Sequence, residues 1–254
     1  MKFRKITAAI SACMLAVCCI SCEKIKEESV SLTEESVSLP EIGEKGVSEL
    51  ISPADGSDEY ELGQYYYSAN GVKLYCGDET VPVEAVLALE NYFLTFQNND
   101  FDTYKSTIYP DYAERYEKYL REVYSKEKGV DDYSLKNSFD LRNSMIRDDL
   151  IDILVYESTE DKEFKGDYTI TRIRAEQPTY EEGVTEEAFV QSFFDSYEDI
   201  LDENYYEQVK SDVDKLIPFT IFVMARAEDG NEHKIVSTMN IILAEKDGKY
   251  YTFG

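Results

Sequence analysis

The stretch Ile217–Ala227, IPFTIFVMARA, decides the fold together with His233–Glu245, HKIVSTMNIILAE. In the first, Phe219, Ile221, Val223 and Ala225 alternate with Thr220, Phe222, Met224 and Arg226, the period of two that a strand requires. Asp229-Gly230-Asn231 supplies a turn, and the second stretch returns with Ile235, Met239, Ile241 and Leu243 on one face. Asp247-Gly248 turns the chain again, and Lys249–Phe253 makes a third strand. Tight turns between patterned strands predict an antiparallel meander.

Upstream of the meander, Thr185 to about Val209 carries Phe189, Phe193, Phe194, Tyr197, Ile200 and Leu201 at helical spacing, which predicts one long helix. Tyr168–Ala175, YTITRIRA, is β-branched and reads as a strand. Pro82 opens a helix whose stripe is Val83, Val86, Leu87, Leu89, Phe93, Leu94 and Phe96. Asn98-Asn99-Asp100 ends it, and Phe101, Tyr104 and Ile108 suggest a short helix. Pro110 starts another that runs to about Lys126, and Ser134 caps a further one carrying Leu135, Phe139, Met145 or Ile146, and Leu150. Tyr65-Tyr66-Tyr67, Asn70-Gly71 and Val72–Cys76 read as a hairpin with a type I′ turn. The fold class expected is α+β, with N-terminal helices packed on a curved antiparallel sheet that ends in the three-stranded meander.

Two phrases carry a family resemblance. The helix Val83–Phe96 is followed by Asn98-Asn99-Asp100-Phe101-Asp102, and the chain ends on Glu245-Lys246-Asp247-Gly248-Lys249-Tyr250-Tyr251. In these the body resembles the NTF2-like superfamily, a cystatin-like α+β cone of helices wrapped by a bent sheet. The resemblance covers residues 83–254. It implies little about chemistry, because that cone hosts isomerases, transport factors and non-catalytic modules.

The amino terminus reads differently. Lys2, Arg4 and Lys5 form a basic head, and Ile6–Ile20 is uncharged and mostly apolar. Ser21-Cys22 closes the run before the acidic Glu23, which is the order of a secretory signal peptide. Cys19-Ile20-Ser21-Cys22 resembles the lipobox of a bacterial lipoprotein signal. That resemblance implies cleavage between Ser21 and Cys22, a diacylglycerol on the Cys22 sulfur, and a location on the extracytoplasmic face of the cell membrane. Residues 22–61 read as a Glu/Ser-rich flexible tether in which EESVSL occurs twice, at 27–32 and 34–39. Such a coil stands a domain off its membrane by roughly 35 Å r.m.s.. Residues 62–254 are then a single globular domain.

Composition narrows the function. The formal net charge is −26, and losing Lys2, Arg4 and Lys5 with the signal deepens it to −29. Such a surface repels phosphate backbones, so nucleic acid is excluded as a partner. Of five cysteines, Cys13, Cys18, Cys19 and Cys22 lie in the signal region and Cys76 alone in the body, which leaves no disulfide framework and no Cys/His metal spacing. Neither a metal nor any other cofactor is expected. His233 sits by a turn and reads as solvated. No catalytic motif stands out. NTF2-like isomerases use a buried carboxylate and a tyrosine inside the cone, and Tyr92, Tyr250 and Tyr251 are the pocket donors this implies here. The expectation is a non-catalytic binding or accessory module of the cell envelope. Its partner would be an envelope protein, a peptide or a small ligand, and the alternative is an enzyme built on such a carboxylate–tyrosine pair.

Overall fold

The computed structural model describes residues 40–57, 60–77, 80–149, 166–197, 200–201, 204–228 and 230–254. Strands β1 (Tyr66–Tyr67) and β2 (Lys73–Cys76) come first. The helices α1 (Val83–Asn98), α2 (Phe101–Thr107), α3 (Pro110–Tyr119), α4 (Ser125–Lys128) and α5 (Leu135–Asp149) follow, with a π-helical segment at Leu120–Tyr124 joining α3 to α4. After β3 (Tyr168–Glu176) come α6 (Glu186–Asp195) and α7 (Tyr205–Asp212). The chain closes on β4 (Lys215–Ala227), β5 (Glu232–Lys246) and β6 (Lys249–Tyr251). The signal peptide, Ser21, Cys22 and the duplicated EESVSL lie outside the described residues.

The fold is α+β, and among the described residues six strands form one strongly curled sheet in the order β1-β2-β3-β4-β5-β6. The sheet is mixed, which corrects the antiparallel expectation: β2 runs parallel to β3, with Lys73 beside Arg172 and Leu74 beside Ile173. A parallel pair needs a crossover, and residues 77–167, which include the five helices α1–α5 among the described residues, provide it.

The meander stands as read, with Ile217 opposite Leu243, Phe219 opposite Ile241 and Arg226 opposite Glu232. Its final strand is shorter than Lys249–Phe253, because Thr252 leaves β5 to bridge Ile108 ahead of α3. Asp247 and Gly248 both take positive φ, 52° and 71°, as a type I′ turn demands. The first hairpin differs. There Gly71 has φ 79° while Asn70 does not turn positive, and Gly71 N–H donates to Ser68 O at 3.0 Å. That is a type I turn closed by a glycine bulge rather than the type I′ turn expected.

Helix α1 matches its stripe, with Ala85, Val86, Leu89, Phe93 and Phe96 buried against the sheet. Asp100 caps α2 by accepting from Thr103 N–H at 3.0 Å. Arg147 reaches from α5 to the end of α1 and donates to Gln97 O at 2.5 Å, satisfying a terminal carbonyl. The single helix expected over 185–209 is two. Thr185 caps α6, which ends at Asp195 with Ser196 as its C-terminal cap, and α7 starts at Tyr205 behind Asn204.

Alternation along β4 sorts the sheet into two faces. Ile217, Phe219, Ile221, Val223, Ala225 and Ala227 are buried toward the helices, whereas Thr220, Phe222 and Met224 are half-buried and Arg226 is exposed on the outer face. Residues 40–57, part of the expected tether, add to the packed unit. Val47 is 5% exposed and bridges Ser68, Ile51 bridges Tyr65, and Ser48 N–H donates to Tyr67 O at 2.9 Å. The packed domain therefore reaches back from residue 62 to Val47. Averaged composition hid this, because two apolar residues suffice to seat a segment along a hairpin edge.

Candidate functional site

The interior is filled with rings. Phe96 stacks on Phe139 at 5.1 Å between centroids, with Tyr104 4.8 Å from Phe139. A second cluster joins Phe194 to Phe253 at 4.9 Å and Tyr112 to Phe253 at 5.7 Å. Tyr92 belongs to the first cluster and is fully buried; its hydroxyl accepts from Arg142 Nη1 at 3.3 Å. Burial pushes its pKa up, against the pull of Arg142. Tyr250 and Tyr251 are half-buried on β6. Burial, then Glu245 and Glu84, raises the Tyr250 pKa, and Tyr251 meets Tyr109 edge-on at 6.3 Å. Glu84 precedes Tyr92 on α1 by more than two turns, a rise of about 12 Å. The three tyrosines thus do not converge on one pocket.

Two cavities among the described residues are open surface clefts, and none of those tyrosines lines them. One, of about 490 Å³, lies between α6, α7 and the start of β4; the Lys210–Glu187 pair, 2.5 Å long, stands within its lining. The other, of about 460 Å³, sits at the α1–α2 turn beside Asp100, Asp102 and Lys136.

Among the described residues one carboxyl has its pKa raised, chiefly by burial: Glu90 on α1. It accepts from Ser68 Oγ at 2.6 Å and from Asn70 Nδ2 at 3.1 Å, and both bonds oppose the rise. Sequence reasoning missed Glu90. Its signal was there: it stands four residues after Val86 and three before Phe93, within the apolar stripe. Its partners belong to the hairpin turn, and it lines neither cleft, so it fastens α1 to the hairpin. His233, expected in solvent, is half-buried on β5 opposite Ala225, because strand pairing begins one residue earlier, at Glu232. No group of three or more His, Cys, Asp or Glu among the described residues could hold a metal ion. No helix among them is long and apolar enough to cross a membrane.

The outer face of the sheet is chemically distinct from the rest of the chain. Register places Lys73 beside Arg172, Arg172 opposite Met224, and Met224 opposite Lys234, so these four side chains form one row across four strands. Arg174 opposite Phe222, and Arg226 opposite Glu232, flank that row. Among the described residues, Lys73, Arg172, Arg174, Arg226 and Lys234 share this face with Glu176 and Glu232, whereas the whole chain has 52 acidic residues to 26 basic ones. Arg172 and Arg226 both reach Glu232, and Arg174 pairs with Glu176 at 2.9 Å. Aromatic rings lie under the lysines: Lys73 sits 5.0 Å from the Tyr65 centroid and 5.9 Å from that of Tyr67, and Lys234 6.0 Å from that of Phe222. The face is thus basic and partly aromatic, and its arginines already hold carboxylates.

No protein-family model matches the chain, and neither a curated protein nor a solved structure does.

Proposed function

We propose that this chain is a lipid-anchored, extracytoplasmic lipoprotein whose NTF2-like domain serves as a non-catalytic binding or accessory module at the cell envelope. Cys22 carries the anchor after cleavage behind Ser21, and the acidic stretch that follows is the spacer. The helices laid on a curled sheet, and the closing Asp247-Gly248 meander, support the NTF2-like assignment. One observation carries the binding role: a basic, aromatic outer sheet face on a domain whose interior is packed with rings. An envelope protein, a peptide or a small ligand could meet that face, while the net charge disfavours nucleic acid. The enzyme alternative requires a buried carboxylate beside a tyrosine hydroxyl, and Ser68 and Asn70 hold that place at Glu90.

The test is metabolic fatty-acid labelling in a bacterial host, followed by membrane fractionation. The wild-type chain should incorporate label and sediment with membranes, and Cys22→Ala should do neither. Equal labelling of both forms would overturn the reading.

A further inference from the structure

We infer that residues 43–52 form a pH-gated strap, docked along the first hairpin while Glu90 is neutral and released when Glu90 ionises. The docking is built from few bonds. Ser48 N–H donates to Tyr67 O and Tyr67 N–H to Ser48 Oγ, both at 2.9 Å. Ile51 and Tyr65 exchange backbone bonds of 2.8 and 3.1 Å. Of residues 40–57 only Val47 and Ser48 are buried. A segment with so little buried surface opens at low cost, ahead of the core strands.

Ser68 is where the strap and α1 meet. Its backbone bridges Val47, and its hydroxyl donates to Oε1 of the buried Glu90 at 2.6 Å. Asn70 Nδ2 donates to the same oxygen at 3.1 Å, so the turn that carries the strap also covers the carboxyl. Displacing that turn from α1 lets water reach Glu90 and shifts the backbone to which Val47 is paired. Burial holds the Glu90 carboxyl above its ordinary 4.5, and a displaced turn returns it to water, so ionisation favours displacement. The docked strap is fully stabilised below pH 4.5 and loses that support as pH rises through the folded value.

Ser68 and Asn70 are the polar groups that act on Glu90 among the described residues. Charges on the elements packed against α1 point elsewhere. Lys73 of β2 and Arg172 and Arg174 of β3 lie on the outer sheet face, and Arg142 of α5 meets Tyr92. Asp102 of α2 lines the cleft at the end of α1, and Tyr250 of β6 answers to Glu245 and Glu84. Glu84 pairs with Lys45 of the strap at 2.9 Å and is held below the usual carboxylate range. That exposed pair works in the opposite sense, because its support is lost only as pH falls through the lowered value.

Release uncovers the edge of β1, and on a chain anchored at Cys22 it adds residues 40–57 to the spacer. The switch itself needs no anchor, so its test and the Cys22 labelling fail separately. Hydrogen exchange of the full chain in detergent at pH 5.5 and pH 8.5 reads it, with each protection factor taken against the unstructured rate at the same pH. Ser48, Ile51 and Tyr67 amides should lose protection by about fivefold or more at the higher pH, while β4 and β5 keep theirs. Glu90→Gln should abolish the response and keep the strap protected at both values. Ser68→Ala should lower strap protection at both, and Lys45→Gln should respond to pH as the wild type does. Equal protection of the wild-type strap at both pH values would overturn the switch, as would a Glu90→Gln chain that still responds or a Ser68→Ala strap protected like wild type. Loss in β4 and β5 together with the strap would mean global opening, and a response abolished by Lys45→Gln would assign the titration to Glu84. Either of these results overturns the proposal as well.

Discussion

Ser68 Oγ donates a 2.6 Å hydrogen bond to Oε1 of the buried Glu90, and so fastens the first hairpin turn to the middle of α1. The same hydroxyl accepts from Asn70 N–H and Val72 N–H, each at 3.2 Å, so one serine organises both the turn and the helix contact. Helix and hairpin are thereby joined through a group that prefers to be neutral.

That preference sets a pH dependence. Burial raises the Glu90 pKa above its ordinary 4.5, so folding favours the protonated form. The resulting stabilisation is full below pH 4.5 and is lost as pH rises through the folded value. Glu90→Gln keeps the shape without the charge. Thermal unfolding should therefore find it more stable than wild type at pH 7.5 by about 1 kcal/mol, with the gap closing near pH 4. A constant gap across that range would rule out the ionisation.

Phe139 is the ring on which α5 is seated, within 6 Å of Phe96, Phe101 and Tyr104. Phe139→Ala should lower stability by roughly 3–5 kcal/mol in urea titration, the range for deleting a buried aromatic side chain. A loss under 1 kcal/mol would mean that α5 is not held by this cluster.

Gly77 closes the parallel pair, its N–H donating to Ala175 O at 2.8 Å. A Cβ there would come within 2.4 Å of Glu176 Cβ and 3.1 Å of its Cα, so β2 and β3 must part to admit one. Gly77→Ala should cost about 1–3 kcal/mol by overpacking. Differential scanning calorimetry reads it, and an unshifted melting point would contradict the close approach.

Residues 47–51 belong to the folded unit, so limited proteolysis should stop trimming the chain ahead of Val47. A fragment starting at residue 40 should melt with the full chain, while one starting at residue 62 should melt several degrees lower. Identical melting of the two fragments would return the boundary to residue 62.

Local patterns carried much of this architecture. Period-two alternation located β4 and β5 within two residues at each end, and the glycine turns ordered the meander. The stripe of α1 was equally plain. Contacts between distant segments left no such trace. Nothing in Lys73–Cys76 announces a parallel partner at Arg172–Ala175, and nothing in Ser68 announces Glu90. Apolar periodicity ran unbroken across residues 196–201, which masked the division of α6 from α7. The outer face was half legible: alternation set Thr220, Phe222, Met224 and Arg226 apart on β4, and the structure shows that this set is the less buried one. Which cations lie beside them depends on the neighbouring strands, and hence on pairings that periodicity does not encode.

The parallel seam between β2 and β3 also orders the folding reaction. Bringing its ends together closes a loop of about a hundred residues, which carries an entropic penalty of roughly 4 kcal/mol before any contact repays it. The meander and the helices close far shorter loops, so their contacts can form ahead of the seam. Ribosomes make the Tyr65–Cys76 hairpin early, yet it has no mate until Tyr168–Glu176 emerges. The element synthesised first among the strands is thus the last to be secured, and a nascent chain must shield its open edge throughout.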